Sequence, residues 1–375
     1  MNASFSTKHA ELAAELRKEI SAGRYGEEGR LPSEAQLVER FGVSRPTVAQ
    51  ALRTLGDEGL VIRRAGSGTY ARPPKQPATA SATRMLALLM PDFGHTEIFQ
   101  LIAGHLASLA RHHEYGLVWG GSTLPKLDAD TRLEHGEELC QQFIEKRVDG
   151  VFFAPYELME GGAEANGRMV KRLRDAGIPV VLVDHDLTPF PERSEFDLVG
   201  VDNTGGGYLL GRHLIKLGCL KFTCVARPWS ASTVDARHTG MWEAVRRCGG
   251  NSCSVTTERG NVADPVFANK IMAGRPDAIA CGNDHTAAVL IQTLGKLGVS
   301  VPGDVRVVGF DDAGFAGLVT PPLTTVRQPC QEIAISAFRA MMDRLVDPSL
   351  PPRSISLTPG LVVRESCGAY SKGGV

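Results

Sequence analysis

The chain has 375 residues, 43% hydrophobic, 22% charged and 6% aromatic, with a formal net charge of −1. That length holds two or three domains at roughly 150 residues each, and the composition excludes a wholly disordered or collagen-like chain and a uniformly basic nucleic-acid wrapper. The apolar run MLALLMP is far shorter than the roughly 20 residues of a helical membrane span. The first 30 residues carry no apolar signal-peptide core, so the expected setting is the cytoplasm.

The charge is unevenly distributed. Residues 1–75 hold 12 Lys/Arg against 9 Asp/Glu, whereas the remainder holds 29 against 33. A small basic head on an acidic body is an asymmetry that hints at nucleic acid. Of the eight cysteines, none forms a C-x-x-C pair, and the five-residue offsets of Cys219/Cys224 and Cys248/Cys253 do not match zinc-finger spacing. They read as buried reduced thiols, and neither a metal nor a cofactor is implied.

Residues 8–22 place Leu12, Leu16 and Ile20 at four-residue intervals, the period of an amphipathic helix. Ser33 and Gln36 form a capping-box pattern opening a short helix through Phe41, and Gly42 ends it. Ser44 is placed to cap the next helix, with Pro46 in its first turn and Val48, Ala51, Leu52 and Leu55 on one face. Leu60–Ile62 and Thr69–Ala71 flank the glycine-bearing turn of a hairpin. The order is that of a winged helix-turn-helix over residues 1–71. Residues 72–83, with three prolines and no large apolar group, read as an exposed linker.

The body, residues 84–375, alternates short β-rich runs with helical periods. Strands are predicted at Met85–Met90, Gly116–Trp119, Gly150–Ala154, Pro179–Val183, Leu198–Val201, Phe222–Ala226, Ala278–Ala280 and Val305–Gly309. The alternation predicts parallel sheets flanked by helices, with ligands at the carboxyl ends of the strands. The fold class is therefore α/β, preceded by a winged helix-turn-helix.

In the head, the second helix of the turn is the expected major-groove element. Arg45 lies at its start, where a guanidinium grips guanine O6 and N7, and Thr47 is placed for a phosphate or a base methyl. Arg63 and Arg64 lead into the wing, where cations serve phosphate or the narrow groove. The other reading of these cations is a solvated face. In the body, the glycines of Val201-Asp-Asn-Thr-Gly-Gly-Gly207 suit either close packing or an anion site. The Gly-Asn-Asp284 and Gly-Phe-Asp-Asp312 segments end strands at crevice-facing loops without a nucleophile–base set, which argues against an enzyme.

The ordered runs LPSEAQL, FGVSRPTVAQALRTL, EGLVIRR and GSGTY resemble the GntR-family DNA-binding domain. The resemblance implies that Ser44, Arg45, Thr47, Gly66 and Gly68 lie at the DNA. Ala35 and Ala49 stand where many members carry arginine, so two contacts are absent; Gln50 or Arg53 either compensates or is simply solvated. Residues 84–367, with VDGVFFAP, AGIPVVLVD, VGVDNTGGGYLLGRHLIKLG, ACGNDHTAA and VPGDVRVVGFDD, resemble the LacI/GalR effector-binding domains, relatives of the periplasmic sugar-binding proteins. That implies two α/β subdomains, a ligand cleft between them and dimerisation through the body.

The resemblance places Arg237, Asn283 and Asp311 on effector-binding positions, and their donors and acceptors suit a polyol. Asp92, ending the first body strand, is expected at the same cleft. Trp229 is either an apolar sugar face or a core residue. His95-Thr-Glu-Ile98 stands where relatives often show Asn-Pro-Phe-Phe, so both aromatics are lost, and His95 and Glu97 either recognise polar or charged groups or cap the following helix. The expected partners are a pseudo-palindromic double-stranded DNA operator, a small polar effector such as a sugar, and a second copy of the chain. The expected activity is regulation of transcription, as a repressor. An activator, a non-sugar ligand and a sugar-transport component are the alternatives.

Overall fold

The computed structural model describes residues 8–21, 24–25, 29–64, 68–71, 84–90, 97–120 and 129–370. The chain divides into two compact units, Met1–Thr83 and Arg84–Val375.

In the first unit, α1 (Lys8–Ser21), α2 (Glu34–Phe41) and α3 (Arg45–Asp57) precede the hairpin β1 (Val61–Arg64) and β2 (Gly68–Ala71). Leu12, Leu16, Ile20, Leu37, Val48, Leu52 and Leu55 close one core, as the four-residue spacing requires. The capping box forms in full: Ser33 Oγ accepts from Gln36 N and the Gln36 side chain accepts from Ser33 N. Gly42 sits in the left-handed region (φ 61°) and donates its N–H to the Val38 carbonyl, turning the chain sharply between α2 and α3. Glu19 is almost fully buried beneath this framework. It accepts from Arg24 Nη1 (3.1 Å), the Tyr25 hydroxyl (2.5 Å) and Arg40. The Arg40 hydrogen bond is the largest influence on its carboxyl and outweighs burial, holding it below the usual range.

The second unit has two lobes. In the first, six parallel strands lie in the order β13-β7-β6-β5-β3-β4. These are β3 (Met85–Leu89), β4 (Gly116–Gly120), β5 (Gly150–Phe153), β6 (Val180–Val183), β7 (Asp197–Val201) and β13 (Ser354–Leu357). Helices α4 (Glu97–His112) and α11 (Cys330–Val346) pack on one face. Helices α5 (Ala129–Glu145) and α6 (Gly162–Asp175) pack on the other. Burial on both faces explains why β5 and β6 are uninterrupted apolar runs.

In the second lobe, four parallel strands run in the order β11-β10-β8-β9. They are β8 (Lys221–Ala226), β9 (Ser254–Arg259), β10 (Ala278–Cys281) and β11 (Arg306–Val308). Around them stand α7 (Asn203–Lys216), α8 (Ser232–Ala244), α9 (Pro265–Ala273) and α10 (Asp284–Lys296). The antiparallel pair β12 (Thr325–Arg327) and β14 (Gly360–Val362) completes it. The chain crosses between lobes after β7, between β12 and α11, and between β13 and β14.

Four strands escape the sequence reading, and each has a reason. β9 lies at the sheet edge and shows solvent-facing polar side chains, SVTTER. β13 is also an edge strand, while β12 and β14 have three residues each. None presents the apolar run that marks a two-face-buried strand.

Candidate DNA-binding surface and ligand cleft

The amphipathic period of α3 buries Val48, Ala51, Leu52 and Leu55 and turns Ser44, Arg45, Gln50 and Arg53 to solvent. Ser44 occupies the N-cap position in extended conformation, yet its hydroxyl bonds the Thr47 hydroxyl (2.8 Å) instead of a backbone N–H. The expected side-chain cap is thus replaced by a hydroxyl pair at the tip of the helix. Arg45 and Arg53 carry no carboxylate partner among the described residues, whereas Arg17, Arg24 and Arg40 are tied to Glu58 or Glu19. Arg45 at the helix start and Arg53 about two turns further on are thus unpaired cations of the kind a phosphate backbone attracts. Arg63, placed by the sequence among these free cations, is instead bonded to Glu34. Gly68 is exposed at φ 122°. Gly66 and the Arg64 side chain lie outside the described residues.

In the body, α7 and α8 cross in contact. A Cβ on Gly207 would lie 1.9 Å from the Arg237 carbonyl, and one on Gly240 1.9 Å from the Thr204 carbonyl. Asp202 accepts from Gly205 N and caps α7 itself. The glycine run therefore serves close packing, the first of its two sequence readings. That packing fixes Arg237, whose Nε donates to Asn203 Oδ1 (2.8 Å) and Nη1 to the Gly282 carbonyl (2.6 Å). Its guanidinium lies 3.8 Å over the Phe310 ring, with Nη1 3.9 Å from Asp311 Oδ1.

Arg237, Asn283 and Asp311 line one cleft between the lobes with Asp184, Glu157, Arg227, Thr233, Ile98 and Phe99. Asn283 caps α10, its Oδ1 accepting from Thr286 N, which leaves the amide group for the cleft. Asp311 is buried at φ 121° and accepts from Gln328 Nε2 (2.7 Å). Burial is the main force raising its carboxyl well above the usual range, only partly countered by Arg237. Behind it, burial raises Asp284 to about 7 despite the Thr325 hydroxyl at 2.6 Å. Asp184, also at positive φ, bonds His185 Nδ1 through Oδ2 (3.0 Å), and its Oδ1 has no partner among the described residues. Non-glycine residues in this region carry backbone strain of the kind found at binding sites.

The cleft is closed, with a cavity of about 20 Å³, room for about one water. Hydrogen bonds among the described residues join the lobes across it. Gly314 N donates to Glu97 Oε2 (2.7 Å), Ala231 N to Glu157 Oε2 (3.0 Å), and Leu158 N to the Trp229 carbonyl (2.6 Å). Glu97 thus stands at the cleft rim holding the opposite lobe. Trp229 is neither core nor, in this closed state, among the residues lining the cleft: the residue is 56% exposed and its backbone makes the inter-lobe bond. Asp92 and His95 lie outside the described residues.

Asp184, Glu157, Arg227 and Phe99 were not found by sequence reasoning. A signal existed for Asp184, which ends an uninterrupted apolar strand as Asp311 does. Among the described residues no cluster of His, Cys, Asp and Glu suits a metal, and no helix is long and apolar enough to cross a membrane.

An exposed reading helix on one unit and a hinged, polar, closable cleft on the other define a ligand-responsive DNA-binding regulator. Two family models agree: bacterial regulatory proteins of the gntR family match residues 8–71, and the periplasmic binding protein-like domain matches residues 212–367. The chain belongs to the bacterial transcription regulators that join a gntR-family head to a periplasmic binding protein-like body. It is 27% identical to the arabinose metabolism transcriptional repressor of Geobacillus stearothermophilus, over 96% of this chain and 97% of that one. It is 30% identical to the HTH-type transcriptional repressor PurR of Yersinia enterocolitica, over 66% of this chain and 71% of the relative. Among solved structures, the transcriptional regulator CelR–cellobiose complex matches with a TM-score of 0.61 at 20% identity, covering 86% of this chain and 91% of that one. That likeness concerns the fold.

Proposed function

We propose that the chain is a cytoplasmic transcriptional repressor, acting as a homodimer on a pseudo-palindromic operator and released or engaged by a small polyhydroxylated effector in the body cleft. The observation that carries this reading is the closed cleft itself. Arg237, Asn283, Asp184 and Asp311 converge there from both lobes, and hydrogen bonds between the lobes help to hold it shut. A ligand that enters must open the lobes and, once held by both, sets their angle. In a two-fold dimer that angle sets the spacing of the two heads, and half-site spacing decides operator fit. Reversing occupancy from 99:1 to 1:99 requires about 5.5 kcal/mol of differential ligand affinity for the two arrangements.

The names of the repressor relatives support this sense of regulation. The test is binding of purified protein to DNA upstream of its own and neighbouring genes, followed by fluorescence anisotropy across a salt series and a saccharide panel. Sequence-selective binding that weakens with salt and changes with one saccharide is expected; binding without sequence preference refutes the reading. Arg237→Ala is expected to keep operator binding and lose the ligand response. A normal dose–response in that variant removes Arg237 from the effector site.

A further inference from the structure

Arg227 stands at the carboxyl end of β8, half-buried, on the wall of the ligand cleft. Its backbone is pinned: the carbonyl accepts from the Ser230 hydroxyl (2.9 Å) and from Arg259 Nη1 (3.3 Å). Its guanidinium has no hydrogen-bond or ion-pair partner among the described residues. Three carboxylates line the same cleft, and none of them is bonded to Arg227. Glu157 accepts from Ala231 N, Asp184 is bonded to His185, and Asp311 accepts from Gln328. The same cleft holds a second unmet group of opposite demand, since Asp184 is 5% exposed and its Oδ1 lacks a donor.

We infer that the effector is an anionic polyol, a sugar acid or a phosphorylated sugar, with Arg227 as the residue that selects its acidic group. A hydroxyl of such a ligand donates to Asp184 Oδ1, while the fork of Arg227 takes two oxygens of a carboxylate or phosphate. A neutral sugar satisfies the first group and leaves the second unpaired in a closing, dehydrating cleft, which costs affinity. This inference rests on the effector site proposed above and adds the charge of its ligand.

The experiment uses the full chain and three probes that differ only at one carbon: D-galactose, D-galacturonate and D-galactose 6-phosphate. Thermal shift and calorimetric titration are run on the unaltered protein, on Arg227→Gln and on Arg227→Lys. At least one acid is expected to bind on the order of tenfold to a hundredfold more tightly than galactose. Arg227→Gln is expected to abolish that preference and Arg227→Lys to retain part of it. Which acid wins separates the carboxylate from the phosphate source. Galactose binding as tightly as both acids, or an acid preference unchanged in Arg227→Gln, overturns the inference while leaving the cleft as the effector site. Failure of all three probes to bind overturns the anionic-polyol assignment, and operator binding that responds to no saccharide at all overturns the effector site with it.

Discussion

Replacing Gly207 with alanine tests whether the α7–α8 crossing is what positions Arg237 in the cleft. The added Cβ would sit 1.9 Å from the carbonyl oxygen and 2.7 Å from the carbonyl carbon of Arg237. Reaching ordinary contact at 3.4 Å requires an opening of roughly 1.5 Å, and the obstructing atoms are helix backbone rather than a flexible side-chain tip. On the other side, a Cβ on Gly240 would be equally close to the Thr204 carbonyl, so α8 cannot simply slide along α7. Overpacking of this kind costs about 1–3 kcal/mol. The displacement also carries the Arg237 guanidinium away from Asn203, Gly282 and the Phe310 ring, and errors of about 1 Å in a binding group lower affinity steeply. The assay pairs denaturant unfolding of the body with ligand titration. A lower midpoint and a ligand affinity reduced at least tenfold are expected, with operator binding by the head retained. An unchanged midpoint together with unchanged ligand affinity would refute the claim that glycine is required here.

Three further outcomes follow from the site geometry. Arg45→Ala is expected to weaken operator binding by about 1–3 kcal/mol and relax discrimination at one base pair, measured by anisotropy against single-base operator variants; unchanged selectivity assigns Arg45 to the phosphates. Glu19→Gln disturbs a buried acceptor shared by Arg24, Tyr25 and Arg40, so the head should lose roughly 1–3 kcal/mol of stability by urea melt. His238, buried beside Arg237, is depressed to about 4 by burial first and by Arg259 and Arg237 next. The unfolded chain therefore binds this proton at a higher pH than the folded one. Its contribution is fully present above about pH 6.5 and is lost as pH falls toward 4, by on the order of 3 kcal/mol. His238→Asn should flatten the stability profile across that window; an equally steep profile would assign the acid sensitivity to other groups.

Much of this molecule is written locally. Leu12, Leu16 and Ile20, the Ser33–Gln36 capping box, Gly42 and the α3 apolar face are short-range patterns whose physics is complete within a few residues. The helices of the head appear where those patterns put them. The strands buried on both faces are equally plain, because a run such as VVLV has no other soluble use. Edge strands were lost for the converse reason: SVTTER and SISL are half-solvated, and only their neighbours in the sheet make them strands.

The cleft is a different matter. Arg237, Asn283 and Asp311 were named through a resemblance, and the sequence could not show that Arg237 is held by a glycine contact with a neighbouring helix. Nor could it show that Glu97 and Glu157 bridge the lobes, that Trp229 is exposed, or that Arg63 is tied to Glu34. Partners from 29 to 217 positions away leave no trace in periodicity or spacing. Burial, charge pairing and closure are properties of the assembled chain, and they decide which side chains remain free to meet a ligand.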